Sequence, residues 1–140
     1  MKVIQIKSER KAELINSLKL CFDLQDKDIE PYFSTLREIG IKLNKNKSIT
    51  NFSKFSNVLG NETRLKIVEL LNDKDYCVCE LEAILDKAQS SISHHLKILE
   101  GMRIIRGIKR GYFTHYELVK EQFQKYIENS RKFFELFNFV

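Results

Sequence analysis

The segment Gln89-Ser90-Ser91-Ile92-Ser93-His94-His95-Leu96-Lys97-Ile98-Leu99 decides the fold. At about 100° per residue on a helix, Leu96 and Leu99 fall within about 40° of Ile92, so these three make one apolar edge. Ser90, His94 and Lys97 point the opposite way. Gln89 and Ser91 sit at the N-terminal end and Ser93 on the flank. This outer face is made of side chains that donate and accept hydrogen bonds, a surface suited to entering a major groove and meeting base edges. Its N-terminal amides suit a phosphate. His95 falls about 60° from the apolar edge, which assigns it to support at the domain margin rather than to base contact. A merely solvated helix has the same composition, so the neighbouring segments carry the distinction.

Upstream, Asp86-Lys87-Ala88 forms a tight turn, preceded by a helix from Val78 to Leu85 that buries Leu81, Ile84 and Leu85. Tyr76 to Val78 has the character of a very short strand. Before it, Asn61 caps a helix burying Leu65, Val68 and Leu71. Gly60 closes a shorter helix that carries Phe52, Phe55, Val58 and Leu59. Downstream, Gly101 ends the deciding segment. Strand-like runs at Ile104-Ile105-Arg106 and at Tyr112 to Tyr116 flank the basic hairpin Gly107-Ile108-Lys109-Arg110-Gly111. Lys109 and Arg110 at its tip aim positive charge at a phosphate backbone. From Glu117 to Val140 the pattern is helical. Phe123, Ile127, Ser130, Phe134 and Phe137 form a heptad-like seam, read as a dimer interface, with packing inside the monomer as the alternative.

Helix, helix, tight turn, helix and basic hairpin, in that order, make the plan of a winged helix-turn-helix. The expected fold is mainly α with a small β-hairpin wing and an N-terminal helical extension. In that extension, residues 8–24 carry the stripe Leu14, Ile15, Leu18, Cys21 and Phe22. A second helix with Pro31 in its first turn carries Tyr32, Leu36, Ile39 and Leu43. The polar run Asn44 to Ser48 reads as a linker. The expected division is therefore a helical extension over 1–47, joining the dimer interface, and a DNA-binding domain with a C-terminal dimerisation helix over 48–140.

Composition fits this reading. Of 140 residues 43% are hydrophobic, and 24 Lys+Arg against 19 Asp+Glu leave a net charge of +5, a modest excess that favours a nucleic-acid partner only where the charge is clustered. One proline and five glycines favour long helices. No apolar run approaches a membrane span, and the N-terminus breaks into charge after Ile6 without a signal-like core, so the expected location is the cytoplasm. No nucleophile–base pair or carboxylate cluster suggests an enzyme.

From Phe55 to about Leu118 the chain resembles the arsenic- and metal-responsive repressors of the ArsR/SmtB family. The matching stretches are Leu59-Gly60-Asn61-Glu62-Thr63-Arg64-Leu65, Tyr76-Cys77-Val78-Cys79-Glu80-Leu81 and Ser91 to Leu99. The resemblance implies a homodimer on an inverted-repeat, double-stranded DNA operator, repressing until an inducer binds. It implies no cofactor for DNA binding. It also implies that Cys77 and Cys79 match the family's metal box, whose effectors are arsenite, antimonite or a soft divalent ion. The helix N-terminus is expected to favour the thiolate, the form that ligates. Residues i and i+2 lie about 200° apart on a regular helix, so Cys77 must stand outside the helix or its first turn must distort. The arsenite repressors carry a third cysteine where this chain has Glu82. Cys21 is the spare sulfur, either a third ligand or a buried inert thiol. The C-terminal helix has no histidine, which argues against the family's second, Asp/His type of zinc site. Two other functions stay open: a winged-helix regulator that is constitutive or thiol-redox switched, and a protein-interaction module.

Overall fold

The computed structural model describes residues 6–137, the side chain of Phe22 set aside. The expected place of Phe22 on the first stripe and residues 138–140 lie outside the described residues; the last helix, expected to run on from Glu117 to Val140, ends at Glu135. The chain divides into two compact units, Met1–Lys47 and Ser48–Val140.

The first unit holds α1 (Ser8–Lys19), a 3₁₀ turn at Phe22–Leu24 and α2 (Ile29–Lys45). Ile15, Ile29 and Phe33 form its small core, with Ile6, Leu14, Leu18 and Leu24 packed around them. The expected helix over 8–24 is shorter, because tight bonds from Leu20 N–H to the Ser17 carbonyl and from Cys21 N–H to the Leu18 carbonyl end α1. Cys21 therefore leaves the apolar stripe and is exposed, which corrects the buried-thiol reading. On α2 the buried residues are Ile29 and Phe33. Ile39 and Leu43, expected on the apolar stripe, are about half exposed at 50% and 54%. The expected linker is also absent: α2 runs to Lys45, Asn46 caps it in an extended conformation, and α3 (Lys47–Leu59) starts at once. Missing periodicity reported missing burial there, not missing helix.

The second unit continues through α4 (Glu62–Asp73), β1 (Tyr76–Cys77), α5 (Val78–Leu85), α6 (Gln89–Gly101), β2 (Ile105–Arg110), β3 (Phe113–Leu118) and α7 (Lys120–Glu135). The strands form one antiparallel sheet in the order β1-β3-β2. Its core joins Ile67, Leu81, Ile104 and Ile105 to the buried edge of α6, where Ile92, Leu96 and Leu99 are at most 1% exposed. The Asn61 side chain accepts the Arg64 N–H at 3.1 Å and caps α4. Gly60 is needed for space: a Cβ there would stand 2.9 Å from the Ser56 carbonyl oxygen.

Several positions depart from the sequence expectation. α4 buries Ile67, Val68 and Leu71, while Leu65 is 49% exposed. α5 buries Leu81 but leaves Ile84 half exposed. Gly101 is the last residue of α6, and the turn after it is carried by Arg103 at φ 56°. The hairpin loop is Gly111-Tyr112, with Gly111 at φ 64°, the left-handed geometry a two-residue loop demands. Lys109 and Arg110 accordingly end β2 instead of forming the loop, and Glu117 and Leu118 belong to β3, not to the last helix. Cross-strand pairing prolongs both strands, with Arg106 donating to its partner Glu117.

The aromatic residues of α7 split between two environments. Tyr126 stacks on Phe55 at 5.2 Å between ring centroids, Phe133 stacks on Phe52 at 4.9 Å, and the Tyr126 hydroxyl donates to the Met102 carbonyl at 3.0 Å. Phe134, edge-on to Phe52 at 5.0 Å, and Phe137, just past the helix and 5.4 Å from Phe133, touch the same rings but stay about half exposed, as does Ile127.

Truncating the buried edge of α6 should show how far the unit depends on it. Leu96→Ala is expected to lower the unfolding free energy by about 2–5 kcal/mol, and Leu65→Ala by less than about 1 kcal/mol. Urea denaturation followed by circular dichroism measures both. Equal losses would mean that the burial assignments of α4 and α6 are wrong.

Candidate nucleic-acid interface and thiol cluster

Packing of its apolar edge sets the rotation of α6 about its own axis and turns Gln89, Ser90, Ser93, His94 and Lys97 outward, all exposed, with Ser91 half-buried. The turn before α6 is closed by Asp86 in the left-handed conformation, φ 49° and ψ 53°. The N-cap is Ala88, whose side chain makes no capping hydrogen bond to the first amides of α6.

The wing brings Lys109 and Arg110 to the end of β2, both exposed. Arg110 is also anchored: its guanidinium lies 3.1 Å from the Asp75 carboxylate. The loop itself presents Tyr112, fully exposed, followed by Phe113 at 57%. Tyr112 is a tip residue that the sequence reading placed inside a strand. The signal for it was Gly111, whose left-handed φ makes the following residue part of the loop.

The three cysteines divide between the units, Cys21 in the first and Cys77 and Cys79 in the second. Cys21 is exposed in the first unit, Cys79 is exposed on the first turn of α5, and Cys77 is half-buried. Cys77 stands just outside the helix as the N-cap residue, in an extended conformation at φ −83° and ψ 168°. Its N–H donates to Glu80 Oε1 at 3.0 Å, and its sulfur faces the Glu80 amide in return, a capping box with a thiol in place of the usual hydroxyl. Burial pushes the Cys77 thiol above its usual range, opposed by the Glu80 amide and reinforced by the Glu80 carboxylate. This reverses the expectation of a thiolate favoured by the helix N-terminus. The Glu80 carboxyl is held below the usual carboxylate range, first by the hydrogen bond from the Cys77 amide.

Residues 61–106 match the family described as bacterial regulatory proteins of the arsR family. The chain is 35% identical over 82 residues to the cadmium resistance transcriptional regulatory protein CadC of Listeria innocua, an alignment that spans 54% of this chain and 69% of that protein. The chain belongs to the arsR family of regulators. It is also 42% identical over 62 residues to the arsenical resistance operon repressor of Escherichia coli, covering 44% of this chain and 53% of that one. Among solved structures, the homodimeric winged helix-turn-helix DNA-binding domain of a Mycobacterium bovis protein shares the fold, with a TM-score of 0.51, 15% identity, and coverage of 66% of this chain and 87% of that one. This arsR-family chain is a transcription regulator built as a winged helix-turn-helix, and not an enzyme.

For this regulator a pyramidal arsenic site of three sulfurs does not fit the second unit, which holds two cysteines, Cys77 and Cys79, and carries Glu82 at the third position. A further element was missed in the sequence, the role of Arg64 in the stretch Leu59 to Leu65. Its guanidinium donates to the carbonyls of Val58 and of Asn57, the latter at 3.1 Å, and so satisfies the end of α3. It also lies 3.3 Å from His95 Nδ1. A guanidinium can only donate, so Nδ1 accepts and the His95 ring is neutral. Burial first, then the charge of Arg64, lowers the His95 pKa from its ordinary value. Arg64 thereby joins α3, α4 and the reading helix α6 at one point.

The pH consequence has a definite sign. The unfolded chain takes up a proton at His95 near pH 6.5, whereas the folded chain resists it, so this contribution to stability is lost as pH falls below about 6.5. Thermal melts are expected to show a larger drop between pH 7 and pH 5 in the wild type than in His95→Gln. A matching drop in both would show that Arg64 and His95 are not coupled as described.

Proposed function

We propose that this regulator is a homodimeric repressor that acts in the cytoplasm, holds an inverted-repeat operator in double-stranded DNA, and leaves it when a soft metal or metalloid engages thiolate sulfur at the start of α5. The observation that carries the DNA-binding half is the orientation of α6, whose buried edge turns Ser90, Ser93, His94 and Lys97 outward beside a basic wing. In this reading Gln89, Ser90, Ser91, Ser93 and His94 enter the major groove, where side chains this short allow close approach to base edges. Lys97 serves the adjacent backbone. The amides at the start of α6 receive a phosphate. Lys109 and Arg110 bring the wing to the neighbouring backbone, where they fix register without selecting sequence.

Dimerisation places two copies of α6 one helical turn apart on DNA, which is why the operator is expected to repeat in inverted order. The homodimeric state of the Mycobacterium bovis domain supports this reading. Ile127 and Phe134 on α7 and Phe137 just after it offer exposed apolar surface for it, and the helices of the first unit are the other surface assigned to the dimer.

On the effector side, similarity to the cadmium resistance regulatory protein and the cysteines at the start of α5 support sensing through sulfur. Cys77, which stands just outside the helix, is the sulfur on which this reading rests. Glu82 at the third position of the box favours a divalent ion such as cadmium over arsenite, because a carboxylate does not replace a sulfur on arsenic.

The test uses duplexes selected by the protein from a random-sequence pool. The selected sites are expected to be inverted repeats bound by two chains. On them His94→Ala is expected to cost about 1–3 kcal/mol of specific affinity. Lys109→Ala is expected to weaken all sequences alike and to flatten the salt dependence by about one unit of log–log slope. Fluorescence anisotropy at several salt concentrations measures both. Selection of no common site, or full affinity in both variants, would remove the proposed surface.

A further inference from the structure

Cys77, Glu80 and His115 offer a sulfur, a carboxylate oxygen and a ring nitrogen that all lie within 4.8 Å of one another. Two independent features of the fold assemble them. The short strand β1 pairs with β3 so that Cys77 stands directly opposite His115, and directly opposed residues of an antiparallel pair project from the same face. The capping box at the start of α5 then folds Glu80 back onto Cys77. A third feature orients the histidine: its Nδ1 lies 3.0 Å from Asp75 Oδ2. When Nδ1–H donates to that carboxylate, Nε2 keeps its lone pair for another partner. A carboxylate behind a ligating imidazole is the arrangement that fixes tautomer and ring direction in metal sites.

We propose that Cys77 Sγ, a Glu80 carboxylate oxygen and His115 Nε2 form a binding site for a divalent ion of borderline softness, zinc or cadmium in class, which ties the first helix of the helix-turn-helix to the wing. The charges balance. One thiolate, one carboxylate and a neutral imidazole meet a doubly charged ion with two negative charges. Binding forms metal–sulfur, metal–oxygen and metal–nitrogen bonds and breaks the Cys77 S–H bond, whose proton goes to solvent. Nothing is oxidised or reduced. Ligand atoms around tetrahedral zinc stand about 3–4 Å apart, so the three must close by about 1 Å, which rotation of side chains supplies. Water takes the fourth position.

This donor set differs from a paired-cysteine site because it does not use Cys79, and it does not suit arsenite, because it holds one sulfur. It also has a route to the wing. Asp75, which orients His115, is shared with Arg110 at 3.1 Å. An ion drawing His115 toward Cys77 pulls on a carboxylate that positions a basic wing residue. The site stands on geometry alone; its use as a release switch rests on the repressor reading above.

The experiment titrates the reduced, full-length protein with Co²⁺ alone and follows thiolate-to-cobalt charge-transfer and tetrahedral d–d absorption. One ion per chain and one thiolate are expected. The charge-transfer band should be absent in Cys77→Ser, which keeps an N-cap hydroxyl, and unchanged in Cys79→Ser. His115→Ala and His115→Gln should each weaken binding at least about tenfold, and Asp75→Asn about 10–100-fold. Thermal melts of each variant identify any that fail to fold, and the paired histidine variants guard against losing that arm. Loss of the band in Cys79→Ser, full affinity in a folded His115 variant, or no band at all would overturn the site. Zn²⁺ added to the protein on its selected duplex separates the two readings: cobalt binding as described with unaltered DNA affinity upholds the site and overturns only its part in release.

Discussion

Burial of Ile92, Leu96 and Leu99 in one core with Ile67, Leu81 and Ile104 fixes the rotation of α6 about its axis, and with it every residue that α6 shows to the outside. A rotation of one residue, about 100°, would carry His94 and Lys97 to the flank and bring serines under the sheet. Hydroxyl groups without partners in that core would each cost free energy, so the packing leaves α6 a single setting. Arg64 adds a polar lock to the apolar one. Its planar guanidinium meets two carbonyls at the end of α3 and the accepting nitrogen of His95, a geometry that a lysine ammonium on a flexible stem would not reproduce.

The deciding helix was legible in the sequence because its apolar spacing admits one phase. α4 was less so. Leu65, Val68 and Leu71 make an acceptable stripe, as do Ile67, Val68 and Leu71, and only the neighbours select the second. The wing was legible as a basic hairpin but not in its ends, since strand length is decided by pairing across the hairpin and not by local composition. The cysteines divide in the same way. Helical spacing left two settings for Cys77, outside the helix or on a distorted first turn, and the structure has the first. It gave no sign of His115, which becomes its neighbour only because β1 pairs with β3. Local pattern likewise could not reveal that burial would outweigh the amide at the helix start and push the Cys77 thiol up.

Two demands meet at the start of α5. As a cap, Cys77 must satisfy a backbone amide of the helix; as a ligand, it must give up its proton and turn its sulfur elsewhere. Serine or threonine would cap better, and a free thiol on the surface would ligate more readily. Glu80 reconciles the two, since its carboxylate holds the Cys77 amide while leaving an oxygen for a cation. Cap and binding site are thus the same few atoms.

The strand β1 contributes two residues to the sheet. Two pairs, Tyr76 with Tyr116 and Cys77 with His115, join it to β3, beside Ile105 and Leu118, which seat the root of the wing in the core. In mechanical terms the β2–β3 hairpin is a lever with its root clamped in the core and its far end, from Lys109 to Phe113, exposed. The far end meets a surface at the angle that the root allows. Any bond made across the root sets the angle of the lever in advance, and a surface that needed a different angle is then met by a wing held at the wrong one.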